Sequence, residues 1–344
     1  MQSFAHPAQL RHTPRFFLQR GRVRANFEVP ERAGALLSAL YRLGLPPTEP
    51  EAATPEALRS VHDGGYIDFL ESAARGWAGL QERGEEAVAN MHPSPEMLAQ
   101  GATCPDAIIG RLGWYTADTA CPIGPGTWEA AAGAAGAALA AADAVASHGG
   151  SAYALCRPPG HHAYAARAGG HCYINNSALA AQRLRDVGAA RIAVFDIDAH
   201  HGNGTQGIFW DRGDVLTVSV HGDPSGYYPW YVGYAGETGA GAGAGCNLNL
   251  PLRQGSRDDA WLAAIDTGLE KLRDFAPEAL VVPLGFDASE HEPLSFLGVT
   301  ADGFSRAAEK LAALKLPTVL VQEGGYNVEV IGTLLERFLT SWGR

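Results

Sequence analysis

The sequence predicts an α/β fold, a central parallel β-sheet flanked by helices, in a single domain spanning residues 1–344. Three observations carry this. From Tyr153 onward, short apolar runs alternate with amphipathic stretches, the pattern of strands joined by crossover helices. The clusters of His, Asp, Glu and Tyr each follow directly on an apolar run, where ligand-binding residues of an open parallel sheet belong. With 344 residues, 46% apolar and 18% charged, the chain can form one large α/β domain, and no break in composition favours two.

Taken in order, Val29–Leu43 and Pro55–Ala74 read as helices, with Pro30 suited to a first turn. Trp128–Ser147 reads as an alanine-rich helix able to pack closely. Strands are expected at Ser151–Leu155, Arg191–Phe195, Val215–Val220, Ala279–Leu284 and Thr318–Gln322. The helices between and after them are Ser177–Val187, Arg257–Phe275, Asp302–Leu314 and Val328–Leu339. Two regions resist regular assignment, Gly76–Thr127 and Gly222–Gly245, and long loops of this kind in a compact domain are usually functional or mobile. The second contains the glycine-alanine run Gly239–Gly245. No Gly-Lys-Ser/Thr follows it and no G-x-G-x-x-G opens a helix, so a phosphate cradle is rejected.

The formal net charge of −11 argues against nucleic acid or an anionic membrane as partner and mildly favours a cationic substrate, although acidity also simply keeps a protein soluble. The cysteines Cys104, Cys121, Cys156, Cys172 and Cys246 are scattered and odd in number, which fits a reducing cytoplasm. No run approaches the ~18 apolar residues of a membrane span, and nothing near Met1 resembles a secretory leader.

The most informative segment is Phe195-Asp196-Ile197-Asp198-Ala199-His200-His201-Gly202-Asn203-Gly204. Residues two apart in an extended chain share a face, so Asp198 and His200 project together, a pairing that suits a divalent ion such as zinc. Asp287 supplies a third ligand from the end of another strand, leaving room for water and a substrate oxygen, as a catalytic metal site does. A neutral imidazole must then accept the water proton, and the tandem His161 and His162 are candidates that can divide the work. Asp196 and Asn203 stand where they could orient these rings. An amide rather than an acid behind one histidine would keep that histidine neutral near pH 7. Tyr326, after Gly324-Gly325, could donate to a developing oxyanion. Singly, each residue is explained as a packed histidine, a turn-forming Asp or a core aromatic. Jointly they point to catalysis.

The motifs RPPGHHA (157–163), FDIDAHHGNGT (195–205), GFD (285–287) and EGGY (323–326) resemble those of the histone deacetylase superfamily, in particular its acetylpolyamine amidohydrolase branch. The resemblance extends over nearly the whole chain; PGTWEA (125–130), HGDP (221–224) and GYAGETG (233–239) favour the polyamine branch. It implies the arginase/deacetylase fold, with Asp198, His200 and Asp287 binding one zinc, His162 as general base, His161 as its partner and Tyr326 polarising the acetyl carbonyl with the metal. A structural potassium ion is implied at Asp196, the main chain of Asp198 and His200, and Ser219. The tunnel for the acyl-amine would be lined by Gly170, His171, Tyr228 and Asp118. The resemblance also implies a homodimer, in which the Gly76–Thr127 loop takes part while narrowing the mouth of the site.

Departures from the family pattern are specific. One tunnel wall is an imidazole, His171. The acids that read the distal ammonium in relatives align with Ile109 and Ala120, with Asp106 and Asp118 close by as substitutes.

The leading expectation is therefore a zinc-dependent amidohydrolase acting on linear amides, which deacetylates acetylputrescine, acetylcadaverine or acetylspermidine to acetate and a free cationic amine. The alternative within the same chemistry is an acetyl-lysine protein deacetylase; a catalytically silent ligand-binding homologue is a minority reading. A binuclear ureohydrolase of the arginase kind is disfavoured because Gly202 stands where the second metal would need an acid.

Overall fold

The computed structural model describes residues 1–294 and 296–343. The strands are β1 (Gln2–Phe4), β2 (Phe16–Gln19), β3 (Arg22–Ala25), β4 (Ser151–Ala154), β5 (Ile192–Asp196), β6 (Val215–Gly222), β7 (Asn247–Leu252), β8 (Ala279–Leu284) and β9 (Thr318–Gln322). The helices are α1 (Pro30–Arg42), α2 (Pro55–Leu58), α3 (Gly64–Ala78), α4 (Pro95–Ala99), α5 (Ile108–Tyr115), α6 (Thr127–His148), α7 (Asn176–Asp186), α8 (Asn203–Phe209), α9 (Asp258–Phe275), α10 (Ala301–Ala312) and α11 (Ile331–Trp342).

Among the described residues, seven strands form one parallel sheet in the order β1-β4-β9-β8-β5-β6-β7, and β2 and β3 form a separate antiparallel hairpin. The central strands are buried on both faces, and the two-residue period sorts their side chains. Ala193 and Phe195 of β5 join one core cluster with α1, α9, α10 and α11, whereas Ile192 and Val194 join another with α6 and α7. This makes a three-layer sandwich, helix on sheet on helix. A third cluster, built on Tyr66, Phe69, Leu112, Tyr115 and Tyr173, lies under α3 and α5. The α9 layer approaches the sheet closely because Gly268 faces Phe195: a Cβ there would lie 2.6 Å from the ring, so Gly268→Ala would overpack the core at a cost of roughly 1–3 kcal/mol.

Two features correct the sequence reading. The helix expected over Pro55–Ala74 is two helices, because Thr54 caps α2 and Asp63 caps α3, breaking the run between them. The α6 stretch does contain an 18-residue window long and apolar enough to cross a membrane, with mean hydropathy 1.4, but 67% of that window is buried inside the fold, as in a core helix. The strands β1 and β7 and the β2–β3 hairpin add to those anticipated. All five cysteines are free. The glycine-alanine run folds against the end of α8: a Cβ at Gly243 would lie 2.6 Å from the Trp210 carbonyl.

Strand order places the chemistry. The chain runs from β4 to β5, β6 and β7, then returns to fill the gap with β8 and β9. The loops leaving the carboxyl ends of five adjacent strands, β4, β9, β8, β5 and β6, therefore meet on one rim at the point where strand order reverses, the usual place for a ligand.

Candidate active site

Each ligand candidate leaves its strand within four residues of the rim. Asp198, His200 and Asp287 are buried, and one ligand atom from each lies within 4.8 Å of the others. Backbone amides fix the carboxylates: Asp198 accepts from His200 N (2.9 Å) and Gly324 N (2.8 Å), Asp287 from Ala199 N (2.9 Å). The His200 Nδ1 lies 2.8 Å from Asp287 Oδ2 and 3.3 Å from Asp198 Oδ1. Gly324 permits this closeness, since a Cβ there would run into both carboxylates. Burial, and then the Asp198 charge, push the Asp287 carboxyl up, the sign expected of two acids sharing a dry site. Burial lowers the His200 imidazole, but Asp287 and Asp198 outweigh it and lift it to about 9. The three donor atoms thus create a demand for positive charge that, in their own company, only a proton on Nδ1 meets. Two hard oxygens and one imidazole with that demand fit a divalent cation such as zinc. This is the one such cluster among the described residues.

The tandem histidines differ in what stands behind them. His161 Nδ1 pairs with Asp196 Oδ2 at 2.9 Å; His162 Nδ1 pairs with Asn203 Oδ1 at 2.6 Å, and the two rings lie 4.0 Å apart. Burial lowers the His161 imidazole, but Asp198 and Asp196 together raise it to about 10. Burial takes His162 the other way, well below its ordinary value, with the neighbouring His161 and His200 adding to the effect. Since Nδ1 donates to the Asn203 carbonyl oxygen, Nε2 carries the free lone pair. His201, by contrast, turns away from this group, its Nε2 lying near Gln206 Oε1 (3.1 Å) and Asn249 Oδ1 (3.2 Å). Ser219 is the register partner of Asp196 across β5 and β6, and its hydroxyl meets His221 Nδ1 at 2.8 Å.

Around this floor stand aromatic walls. The Tyr228 ring meets His162 edge-on at 4.8 Å, and its hydroxyl donates to Asp118 Oδ2 at 2.6 Å. The same carboxylate accepts from Gly170 N (3.0 Å) and, through Oδ1, from Ala120 N (2.8 Å), so Asp118 braces both walls at once. His171 has a left-handed backbone (φ 67°), packs against Phe17 of the β2–β3 hairpin at 5.6 Å and faces Tyr326 at 5.9 Å. Burial pushes its imidazole down to about 4, so this wall is neutral. Asp106 and Ile109 are exposed.

Several contributors are not among the residues the sequence singled out. Tyr227 stacks on His200 at 4.4 Å, and its hydroxyl donates to Leu294 O. Glu323 gathers Gly160 N (2.6 Å), His161 N (3.1 Å) and the Ser177 hydroxyl (2.9 Å), tying the histidine loop to β9. Buried Arg32 donates to the carbonyls of Glu323 (2.7 Å) and Gly325 and lies 4.8 Å over the Tyr326 ring, its charge balanced by Glu28 at 2.8 Å. Glu323 lies inside a recognisable motif, so position could have flagged it; Arg32 and Glu28 belong to an ordinary amphipathic helix start and could not be singled out.

The histone deacetylase domain profile matches residues 26–341. Acetylpolyamine amidohydrolase of Burkholderia pseudomallei (strain 1710b) is 45% identical over 344 residues, covering 100% of this chain and 99% of that one. The protein of the same name from Mycoplana ramosa is 42% identical over 307 residues, 89% of each chain. The crystal structure of acetylpolyamine aminohydrolase from Burkholderia pseudomallei superposes with a TM-score of 0.95, covering 100% of this chain and 98% of that one. The HDA15 HD domain superposes with a TM-score of 0.82 at 26% identity, covering 100% and 91%.

Proposed function

Because the chain belongs to the histone deacetylase domain family, we propose that it is a zinc-dependent amidohydrolase that deacetylates N-acetylated polyamines or diamines. The observation that carries the chemistry is the buried Asp198–His200–Asp287 cluster beside two histidines with opposite supports.

Asp198, His200 and Asp287 would hold the cation, which when bound polarises the acetyl carbonyl and makes water more acidic. His162, kept neutral by burial and by an amide rather than a carboxylate at Nδ1, takes the proton of the attacking water at Nε2. His161, held by Asp196, supplies positive charge beside the reacting centre, and a protonated histidine of this pair delivers the proton that the leaving amine needs. Tyr326 donates its phenol to the oxyanion. Tyr228 and His171 confine the alkyl stem, and the net charge of −11 favours a cationic amine.

Asp196 and Ser219 are the side-chain ligands of a structural potassium ion in the same reading. A homodimer through the 76–127 segment also belongs to it, supported by the exposed Met91, Met97, Leu98 and Ile109. Five unpaired cysteines suit a cytoplasmic location.

The test compares kcat/KM of the zinc-loaded protein on acetylputrescine, acetylcadaverine, acetylspermidine and an acetyl-lysine peptide. The small amines are expected to lead; higher kcat/KM on the peptide than on all of them would replace the substrate with acetyl-lysine protein. Removing metal, verified by elemental analysis, is expected to abolish turnover and zinc to restore it. Full turnover by metal-free protein would sink the metal assignment.

A further inference from the structure

Tyr326 lies on a stretch of backbone that has little rigidity of its own. It follows Gly324 and Gly325, the latter at φ +112°, and the next regular element begins only at Ile331. A phenol that must meet an oxyanion within a few tenths of an ångström cannot depend on such a segment unless something outside it sets the backbone. Asp198 anchors the Gly324 amide; around Tyr326 itself, two further side chains set the backbone and divide its peptide groups by polarity. Arg32 takes the carbonyls of Glu323 and Gly325. Glu292, buried in the loop after β8, takes the amides: Oε2 accepts from Tyr326 N at 2.7 Å and Oε1 from Asn327 N at 3.0 Å. The Asn327 side chain returns to the same loop, donating to the His291 carbonyl at 2.8 Å.

We propose that Glu292 is a positioning residue for the reaction: its carboxylate, bidentate on consecutive amides, sets the direction in which the Tyr326 phenol points. The hydrogen bonds of Glu292 go to the Tyr326 and Asn327 amides and to none of the three ligand candidates, so it acts through the Tyr326 backbone. Burial pushes Glu292 up to about 7, so above that pH it is a carboxylate, and charge-assisted bonds from one carboxylate to two buried N–H groups are among the stronger hydrogen bonds a protein makes. Loss of the charge, with one oxygen turned into an N–H donor, leaves at least one of these amides without its acceptor. Arg32, with Gln322 Nε2 and Phe286 N on the Gly324 carbonyl, then holds only the carbonyls up to Gly325, and the Tyr326 and Asn327 amides are free to swing about that anchor.

The inference rests on the deacetylation proposed above, and the experiment separates the two. Glu292→Gln, Tyr326→Phe and the double variant are compared for kcat and KM on the best acetylated amine, and for amide hydrogen exchange of the 323–330 peptide in all variants without added metal. Expected is a fall in kcat of about 10-fold with KM little changed, faster exchange in 323–330 but not in β9, and a double variant no slower than Tyr326→Phe. Glu292→Asp, with the charge kept, is expected to recover part of the exchange protection, and serves if the Gln variant does not fold. Unchanged exchange overturns the inference, as does a Glu292→Gln effect of the same factor in the Tyr326→Phe background, since Glu292 would then act elsewhere. A wild-type chain without deacetylase activity removes the functional reading instead, while the exchange result still decides whether Glu292 sets this backbone.

Discussion

The floor of the site and its walls are held by different physics. On the floor, the ligand candidates and both tandem histidines are buried and paired with partners that come from the strand-end motifs: Asp196 behind His161, Asn203 behind His162, Gly324 N on Asp198. Burial without such a partner would cost several kcal/mol per charge, so the motif has to contain both members. The walls are aromatic rings and an imidazole, and packing fixes them as much as pairing does. Their supports come from distant segments: Phe17 from a hairpin for His171, Asp118 from an irregular stretch for Tyr228 and Gly170. Floor chemistry is thus contained within the strand-end motifs, although its partners lie 35 to 126 residues apart along the chain, while the walls can be rebuilt by changes outside those motifs.

The largest expected effect tests the floor. His162→Ala removes the ring of the tandem pair that burial keeps neutral and whose Nε2 is free to take a proton, and kcat/KM should fall about 10²–10⁴-fold, measured on acetylputrescine with metal content shown to be unchanged. Undiminished turnover would transfer the base role to another group and remove the contrast between the two histidine supports.

A smaller effect tests the wall. Asp118→Asn weakens the acceptor for Tyr228 and Gly170 but keeps the side chain's shape, so the expected loss is about 10-fold or less in kcat/KM, carried by KM. Comparing acetylcadaverine with its neutral analogue N-pentylacetamide separates two roles for the carboxylate. An equal loss on both means that Asp118 braces the rings; a loss confined to the cationic substrate means that it reads the distal ammonium.

The same contrast explains what the sequence reveals. Central strands were legible because parallel strands buried on both faces are unbroken apolar runs, and β8 and β9 match the expected limits to the residue. At the edges this signal fades. β1 is three residues long and exists by pairing with β4, whereas β7 alternates polar with apolar residues just after a glycine-rich stretch. The hairpin FFLQ-RG-RVRA hides in its charges, its turn made by Arg20 and Gly21 at positive φ. α5 was masked by Gly110 and Gly113, which depress helix propensity; a Cβ at Gly113 would collide with the Met91 carbonyl, so packing overrode propensity. In the site, the strand-end clusters mark Asp198, His200 and Asp287 as ligand candidates and Asp196 and Asn203 as supports, but not which histidine each support meets. Glu292 and Arg32 stay unmarked, because a residue that acts through another's backbone leaves no motif of its own.

The wall has one further support whose protonation can be followed. His62 bridges the loop that carries Gly170 and His171: its Nδ1 meets the Tyr164 carbonyl at 3.1 Å, and its Nε2 accepts from Asn175 N at 3.0 Å, so only the neutral ring satisfies both. Burial pushes it down from 6.5 to about 4. The folded state therefore binds fewer protons than the unfolded one between these values. The contribution of His62 is complete above pH 6.5 and is lost as pH falls towards 4, at up to ~1.4 kcal/mol per pH unit. His62→Gln should be less stable than the wild type near neutrality, and the gap should narrow as acid is added, read from urea unfolding at a series of pH values. Glu323, which burial raises to about 7, contributes a slope of opposite sign, but it is present in both proteins and cancels in the difference. Parallel stability curves for the two proteins would mean that His62 titrates alike folded and unfolded, and that the wall loop is held without it.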